Sequence, residues 1–365
     1  MHPSNTDKTA VWVITPNGVK LARLISDKLT DCDVFISQTI EEKPTDWLWF
    51  ESLSKALSDA FGRYRGHIFI MSTGIVVRMI APLINSKLVD PAVVVVDDQA
   101  NHAISLLSGH LGGANALTRS IAKLIGADPV ITTATDVNGL PAIDMLAQEK
   151  HLRIANPRAI KAVNMALLKG RQIFVHDPYR FLETCLPGVS PCTYSGEPNQ
   201  IGSGQYVPGI YVDDRVIDLH PEVLILRPAS LVAGIGCNRD TPMDEIKALL
   251  EEVLANHQLA LASLASLASI DVKADESGLL NLAENLKLPL EFYDCKQLKQ
   301  IKEIKNPSAV VEKHVGVKSV CEAAAILTAR GGALIVPKQS TKNVTVAIAR
   351  INFMSSESGQ AVRNT

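Results

Sequence analysis

Short apolar runs alternate with amphipathic stretches over residues 10–146. The runs predict strands at 11–14, 67–71, 92–96 and 129–133, with helical spacing of leucine and isoleucine between several of them. Continuous apolar runs between helices are typical of strands that are buried on both faces of a parallel sheet. The pattern therefore predicts an α/β domain over this block.

A different pattern follows in residues 147–228. One helical stretch precedes a segment, residues 187–209, that is rich in proline, glycine and serine, the residues that favour loops. Two apolar runs then flank Asp213, Asp214 and Arg215 and predict a β-hairpin. We expect a small irregular middle module made of a helix, this hairpin and a loop.

Alternation of strands and helices returns over residues 229–351. Thr241 and the proline after it predict a helix start with a hydroxyl cap, and the run from Ser319 to Glu322 predicts a capping box ahead of an alanine-rich helix. The polar residues 352–365 predict a flexible tail. The expected fold class is α/β, with two α/β domains of largely parallel sheets joined by the middle module.

Composition narrows the function classes without choosing one. The 365 residues hold 36 Lys and Arg against 38 Asp and Glu, and this net charge of −2 argues against binding to nucleic acid, which needs a basic face. The most apolar stretch, residues 68–83, contains Arg78 and is shorter than the roughly 20 residues of a membrane-spanning helix. With no signal peptide visible and no Cys-x-x-Cys pair, we expect a cytoplasmic protein without a membrane partner or a zinc site.

The richest candidate for chemistry is a glycine-rich turn over residues 105–115. Its glycines let the backbone approach a ligand closely, and the helix that follows directs N–H groups towards an anion. The candidate residues of this turn are Ser108, Gly109, His110, Gly112, Gly113 and Asn115. A turn that merely packs well, with His110 satisfied locally, is an equally good interpretation.

Thr73 and Gly74 open a helix that could receive a carboxylate, with Arg78 as its charge partner. The alternative is that Arg78 pairs with an internal acid, Asp90 or Asp97, since an arginine in an apolar segment needs a partner.

Hydroxyl and carboxyl groups follow another strand, at the edge where open α/β sheets bind ligands. Thr133, Thr135 and Asp136 are the candidates there, although capping of a helix by Thr135 or Asp136 is slightly preferred. Asp97 and Asp98 also end a strand, but adjacent side chains diverge, so a solvated turn is the better interpretation.

In the last block, the glycine turn that contains Gly236 could bind an anion, and so could the helix start from Ser319 to Glu322. A tight turn and an ordinary helix cap are the more frequent structures for these two patterns.

Several of these segments are long, ordered motifs. They are residues 73–83, 90–93, 106–115 and 131–136 in the first block and residues 234–237, 270–276 and 320–325 in the last block. In order and spacing they resemble the N-terminal and C-terminal domains of the cobalamin-biosynthesis protein G family. The resemblance covers residues 10–351, and the middle module falls where that family has a variable region.

The resemblance implies a hydrolase that opens the δ-lactone of cobalt-precorrin-5A and releases acetaldehyde. It implies that cobalt belongs to the tetrapyrrole substrate, so no cofactor and no protein-bound metal is expected. It also leaves room for transient contact with other enzymes of the pathway, while the oligomeric state stays open. Two alternatives are a carrier that binds the corrinoid without catalysis and a phosphate- or nucleotide-binding enzyme.

Lactone opening needs a base or acid and a place for the developing oxyanion. We expect His110 to move the proton, because its unperturbed pKa of about 6.5 lies near working pH. Amide N–H groups near Gly109, Gly112 and Gly113 would hold the oxyanion or a substrate carboxylate. Ser108 could orient water or attack directly, and Glu322 is the candidate from the last block.

Overall fold

The protein is described here from a computed structural model. The structure describes residues 6–42, 44–86, 89–171, 173–182, 186, 208–301, 304–306 and 319–353. The chain divides into two compact units, Met1–Met145 and Leu146–Thr365. Most of the predicted loop at 187–209, and the predicted tail from residue 354 onwards, lie outside the described residues.

Among its described residues, the first unit contains seven strands, five whole helices and the start of a sixth. The strands are β1 (Thr6–Val13), β2 (Cys32–Ser37), β3 (Leu48–Phe50), β4 (Tyr64–Ile70), β5 (Ala92–Val96), β6 (His102–Leu107) and β7 (Asp128–Val130). The helices are α1 (Pro16–Ser26), α2 (Leu53–Ala60), α3 (Thr73–Ile80), α4 (Ala114–Ile125), α5 (Ala134–Val137) and α6 (Ile143–Glu149), of which α6 continues into the second unit.

These strands form one sheet in the order β3-β2-β1-β4-β5-β6-β7. All neighbours run parallel except β5 and β6, which are antiparallel. The connection between β5 and β6 covers only residues 97–101, and a parallel crossover needs a dozen residues or more. The short turn therefore forces the chain to reverse, and the carboxyl ends of β6 and β7 lie opposite to those of β1, β4 and β5.

Alternating side chains of the strands bury both faces of this sheet. On β1, Val11 and Val13 pack in one cluster with α1 and α4, whereas Ala10 and Trp12 pack in another with α2 and α3. This explains why the strands have continuous apolar runs in the sequence, and it confirms the prediction of a sheet covered by helices on two sides.

The second unit contains two sheets. Its strands are β8 (Arg153–Ile154), β9 (Phe174–His176), β10 (Gly209–Val212), β11 (Leu224–Arg227), β12 (Leu231–Cys237), β13 (Leu264–Ile270), β14 (Leu290–Tyr293), β15 (Leu334–Ser340) and β16 (Val344–Arg350). Its helices are α7 (Ile160–Leu168), α8 (Met243–Asn256), α9 (Ser277–Leu286), α10 (Cys295–Leu298) and α11 (Val320–Thr328). The smaller sheet has the order β8-β11-β10-β9 and the larger one the order β14-β13-β12-β16-β15.

The predicted hairpin around residues 213–215 is wrong. Strand β10 pairs in parallel with both β11 and β9, so the middle module is a sheet and not an irregular hairpin. After β10 the chain does not fold back, because Arg215 bridges to Leu259 and the Val216 N–H donates to Gln258 O at 2.6 Å. The mixed α/β class with mostly parallel sheets is confirmed.

Asp214 lies at the centre of a buried polar network in the second unit. Its carboxylate accepts two hydrogen bonds from Arg350, at 2.8 and 2.7 Å, and one each from Tyr179 and Ser230. A buried charge is tolerated only when it is paired and hydrogen-bonded, and here four donors meet that need. The network ties the segment after β10 to the end of β16.

Three smaller findings complete the fold. Helix α8 is capped by Pro242, and the Thr241 hydroxyl donates to Asn238 O instead of capping the helix as predicted. Cys32, Cys237, Cys295 and Cys321 are free thiols. No helix within the described ranges is both long and apolar enough to cross a bilayer.

Candidate active site

The glycine-rich turn joins β6 to α4 and folds back onto the first turn of that helix. The Ala114 and Asn115 N–H groups donate to Ser108 O and Gly109 O, at 3.1 and 2.9 Å. A Cβ on Gly112 would lie 2.3 Å from the Ser108 Cβ, so only glycine fits at this position. The tight turn presents the His110 side chain at the carboxyl ends of β6 and β7.

His110 is held between two carboxylates. Its Nε2 lies 3.0 Å from Asp136 Oδ2 and 3.1 Å from Thr135 Oγ1, and its Nδ1 lies 3.6 Å from Asp144 Oδ1. The Asp144 carboxylate raises the pKa of His110, burial opposes that shift, and Asp136 adds to it. The side chain is 19% exposed, so the imidazole is reachable from solvent, and the acids on either side of it favour its charged form.

The Asp136 carboxylate takes part in four hydrogen bonds. Thr133 Oγ1, Asn115 Nδ2 and His110 Nε2 meet its Oδ2 at 2.7, 2.9 and 3.0 Å, and Arg119 donates to Oδ1. Burial alone would raise the pKa of Asp136, but the hydrogen bonds from Thr133, Arg119 and His110 lower it to about 2. This carboxylate stays ionised throughout the physiological range and fixes the orientation of the imidazole.

Several predicted substrate contacts instead position other side chains. Asn115 is buried and fully used, since its Oδ1 accepts from Ser105 at 2.7 Å and its Nδ2 reaches Thr133 and Asp136. Thr133 is the cap residue of α5, but its hydroxyl donates to the side chain of Asp136 and not to a backbone group of the helix. The expectation that Thr135 or Asp136 caps this helix is therefore wrong. Both residues lie inside α5, after its cap residue, and their side chains contact His110.

The predicted oxyanion amides are only partly available. The Gly113 N–H donates to His110 O at 2.8 Å, which removes it from ligand binding. Gly109 and Gly112 have no acceptor for their N–H groups among the described residues. The Ser108 hydroxyl oxygen is buried, has no partner within the described ranges, and does not contact His110, so the structure holds no serine–histidine pair here.

Thr73, Gly74 and Arg78 lie at the opposite end of the sheet, because β4 and β6 run in opposite directions. Arg78 is exposed and donates to Gly74 O at 2.9 Å. Asp90 instead accepts from the Asn85 N–H, and Asp97 accepts from amides of its own turn. The alternative in which Arg78 pairs with either acid is thus wrong.

Asp97 and Asp98 diverge, as predicted. Asp97 accepts the N–H groups of Gln99, Asn101 and His102, which closes the turn between β5 and β6. Asp98 points towards α1 and accepts from Thr15 and from Asn17, the latter at 3.1 Å.

In the second unit, Glu322 does not close the predicted capping box. The residue is 0% exposed, and its carboxylate accepts the N–H groups of Lys305, Asn306 and Lys338 at 2.9, 3.2 and 2.8 Å. Ser319 is the cap residue of α11, but its hydroxyl lies 3.6 Å from Cys321 Sγ and caps no backbone N–H of the helix. Glu322 thus orders neighbouring segments and is sealed from a substrate, whereas Gly236 lines a cavity.

Three side chains of the His110 cluster were missed from the sequence. Arg119 stands four residues after Asn115 on α4 and so shares its face, which is a readable signal. Ser105, near the end of β6, lies inside the predicted turn 105–115 but was not singled out there as a candidate. Asp144 carries no such signal, because only the fold brings α6 beside the turn. Within the described ranges, the His110 cluster included, no group of three or more His, Cys, Asp or Glu residues could hold a metal ion.

The chain matches three family models over most of its length. Residues 55–136 match the model described as Cobalamin synthesis G N-terminal. Residues 141–228 match Cobalamin biosynthesis central region, and residues 231–349 match Cobalamin synthesis G C-terminus.

Whole-length relatives agree with these matches. A Salmonella typhimurium protein named cobalt-precorrin-5A hydrolase is 36% identical over 350 residues, which is 91% of this chain and 94% of that protein. A Priestia megaterium protein of the same name is 33% identical and covers 94% of this chain and 95% of its own. The crystal structure of a cobalamin biosynthesis protein G homologue from Sulfolobus solfataricus is 20% identical, with 95% and 98% coverage and a TM-score of 0.35. On the family models and the whole-length identities, the resemblance is confirmed and the chain belongs to the cobalamin synthesis G family.

Proposed function

We propose that this chain is a hydrolase of cobalamin biosynthesis that opens the δ-lactone of cobalt-precorrin-5A, releases acetaldehyde and leaves cobalt-precorrin-5B. Two relatives that bear the name cobalt-precorrin-5A hydrolase match it over nearly their full lengths. The observation on the molecule that carries the proposal is the reachable imidazole of His110 between two carboxylates.

In the first step a water oxygen attacks the lactone carbonyl carbon, and the acyl carbon–oxygen bond breaks. The water loses one proton and the leaving alkoxide gains one. Asp136 holds Nε2 of His110 at 3.0 Å, whereas Asp144 lies 3.6 Å from Nδ1, so the more loosely held Nδ1 is the nitrogen proposed to give the alkoxide its proton. The raised pKa of His110 favours its protonated form, which suits the role of donor to the alkoxide.

In the second step the freed hydroxyl gives its proton to the imidazole of His110, neutral after the first step, while the adjacent carbon–carbon bond breaks and acetaldehyde leaves. The electron pair of that bond passes to the macrocycle, which belongs to the substrate together with its cobalt. The chain supplies proton transfer and orientation, and we expect the Gly109 and Gly112 amides to stabilise negative charge on the lactone oxygen. No cofactor beyond the substrate is part of the proposal.

The substrate carboxylates need donors as well. Arg78 is exposed and has no acidic partner among the described residues, so it remains a proposed contact at the far end of the sheet, beside Thr73 and Gly74. A cytoplasmic location, transient contact with other pathway enzymes and the absence of nucleic-acid or membrane partners complete the proposal.

The test is incubation of the purified protein with the cobalt-bearing lactone substrate while acetaldehyde is trapped and measured. We expect turnover by the unchanged protein and a loss of about 100-fold or more in His110→Ala, since acid–base groups contribute roughly that much. His102→Ala is the matched control, because His102 also lies 3.6 Å from a carboxylate, that of Asp97, but at the other end of β6.

Circular dichroism before and after substitution checks that both variants keep the fold. Tight binding of the substrate without acetaldehyde would instead mark the chain as a carrier. Normal turnover by a folded His110→Ala protein would remove His110 from the mechanism while leaving the activity in place.

A further inference from the structure

A cavity of about 220 Å³ lies in the second unit, where the carboxyl ends of β12 and β13 meet the start of α11. Gly236 and Cys237 from β12 and Val320 from α11 form part of its wall. The cavity contains none of the residues of the His110 cluster, which belong to the first unit.

Close packing of α11 on β12 places this helix start at the strand ends. A Cβ on Gly234 would lie 1.9 Å from Cys321 O and 2.8 Å from Ala325 N, so only glycine lets the helix approach the strand. The Glu322 carboxylate then holds the Lys338 N–H at 2.8 Å, which fixes β15 beside the same helix. One side of the cavity is therefore built by buried contacts, and the turn between β15 and β16, residues 341–343, supplies another side.

The charge of the cavity is positive. Lys273, Lys338 and Lys342 line it, and no acidic residue is among its described lining residues. Lys273 is neutralised by Glu276, whose Oε2 lies 3.2 Å from Nζ. Lys338 donates to the carbonyl of Asn306 at 3.1 Å, and neither it nor Lys342 has an ion pair with any described acid. Two ammonium groups are thus left for an external anion.

The remaining wall is largely apolar. Ile270, Val272 and Val344 supply hydrocarbon surface next to the lysines. A fully polar anion such as phosphate would leave this surface without a partner, whereas an acid with an apolar body satisfies both parts. The volume accommodates a short carboxylate arm, given that a water molecule takes up about 30 Å³ in the liquid.

We propose that this cavity is a binding site for the carboxylate arm of an amphipathic organic acid, with Lys338 and Lys342 as its charge partners. Identification of that acid as the carboxylate-fringed tetrapyrrole rests on the proposed function. The binding chemistry itself does not, since it follows from the cavity, its two unpaired lysines and its apolar wall.

Cys237 gives a local test, because this half-buried thiol lines the cavity. Iodoacetate and iodoacetamide have nearly the same shape but differ in charge, so their alkylation rates at Cys237 report the local potential. We expect the ratio of the iodoacetate rate to the iodoacetamide rate to fall about threefold or more in Lys338→Ala/Lys342→Ala, with mass spectrometry assigning each site.

Two controls accompany this measurement. Lys296→Ala/Lys299→Ala removes two exposed lysines of the same unit that do not line the cavity, and it should leave the ratio unchanged. Cys32, in the first unit, serves as the internal reference thiol within every sample. An equal ratio at Cys237 in the unchanged protein and in the cavity double variant would overturn the proposal.

A second measurement identifies the source of the carboxylate. Cobyrinic acid, a corrinoid with free carboxylates, is titrated against the full chain beside cobinamide, in which those groups are amides. We expect cobyrinic acid to bind more tightly, to protect Cys237 from alkylation and to lose about 10-fold in affinity in the cavity double variant.

Protection of Cys237 by a simple amphipathic acid such as hexanoate, but not by cobyrinic acid, would keep the anion site and reject the tetrapyrrole. No protection by either acid would reject the site. Both readouts are independent of acetaldehyde release, so failure of this site and failure of the proposed hydrolysis are distinguishable.

Discussion

Two histidines in the first unit sit in opposite surroundings. His67 is 0% exposed within an aromatic cluster, where Trp12 Nε1 donates to its Nδ1 at 3.0 Å and its Nε2 donates to Phe61 O at 3.0 Å. Burial lowers the pKa of His67 to about 4. His110 lies between Asp136 and Asp144, and its pKa is raised.

The comparison teaches that the surroundings, and not the residue type, decide what an imidazole does. His67 has one donor and one acceptor nitrogen, each with a partner, so its neutral form is complete and a second proton has nowhere to bind. His110 faces carboxylates on both nitrogens, which favours the charged form. The first histidine therefore stabilises the core, and the second is suited to proton transfer.

The largest effect is expected when His110 loses its anionic partner Asp136. In Asp136→Asn the carboxylate that four donors share is lost, so we expect kcat for acetaldehyde release to fall about 100-fold or more. The pKa of His110 should fall as well, since one of its anionic partners is gone. Steady-state kinetics and the NMR titration of the His110 ring protons measure the two effects.

Asp98→Asn is the control for this variant. Asp98 also accepts from two polar side chains, but it lies at the opposite end of the sheet from the cluster. Equal activity losses in the two variants would mean that Asp136 matters only for folding.

The second prediction concerns His67, the buried histidine of this comparison. In His67→Phe the ring still fits among aromatic neighbours, but the Trp12 indole N–H and the Phe61 carbonyl lose their partner. Leaving buried polar groups unsatisfied costs about 2 kcal/mol, and urea denaturation should report a loss of that size in the free energy of unfolding. The kcat of the folded protein should not change, in contrast to Asp136→Asn.

Acid titration of stability completes the test of His67. Its folded-state pKa of about 4 lies below the unfolded value of about 6.5, so only the unfolded state binds the proton between these values. His67 therefore removes about 1.4 kcal/mol of stability per pH unit as the pH falls from 6.5 towards 4. A His67→Phe protein that keeps the full acid dependence of the unchanged chain would show that another group is responsible.

The smallest effect is expected for Asp144→Asn. An ion pair at 3.6 Å contributes roughly 1 kcal/mol, so kcat should fall about fivefold at neutral pH. The pKa of His110 should move down, and the alkaline limb of the pH–rate profile should move with it. Asp128→Asn, an exposed acid of β7, is the control, and an unchanged profile in Asp144→Asn would remove Asp144 from the cluster.

The contribution of His110 to folding stability depends on pH in the opposite direction to that of His67. Because the pKa of His110 is raised, its ion pairs stabilise the fold fully below the unfolded pKa of about 6.5. That contribution is lost as the pH rises through the folded-state pKa. Asp144→Asn should therefore flatten the stability curve on the alkaline side, where His67→Phe changes nothing.

Many strands of the first unit could be predicted from the sequence, because strands that are buried on both faces are continuous apolar runs. The reversal of β6 was also predictable in principle, since residues 97–101 are too few for a parallel crossover. Without that step, Thr73 and Asp136 were both expected to contact the substrate, and the structure places them at opposite ends of the sheet.

Other errors had no local remedy. The two apolar runs around Asp213 and Asp214 fit a hairpin, and only the distant partners Arg350 and Leu259 draw the chain elsewhere. Glu322 matches a capping box, yet its carboxylate serves amides of Lys305 and Lys338, which local spacing does not specify. Side chains whose partners come from other elements are the ones that sequence patterns assign wrongly.

The reversal of β6 also bears on how this protein can change over evolutionary time. Loops that follow β1 and β4 lie a full strand length, roughly 16 Å, from the loops that follow β6 and β7. Insertions or deletions in the first set of loops are thereby separated from the proposed proton-transfer residues at the second set. One short turn thus gives selection two separately adjustable surfaces on a single sheet.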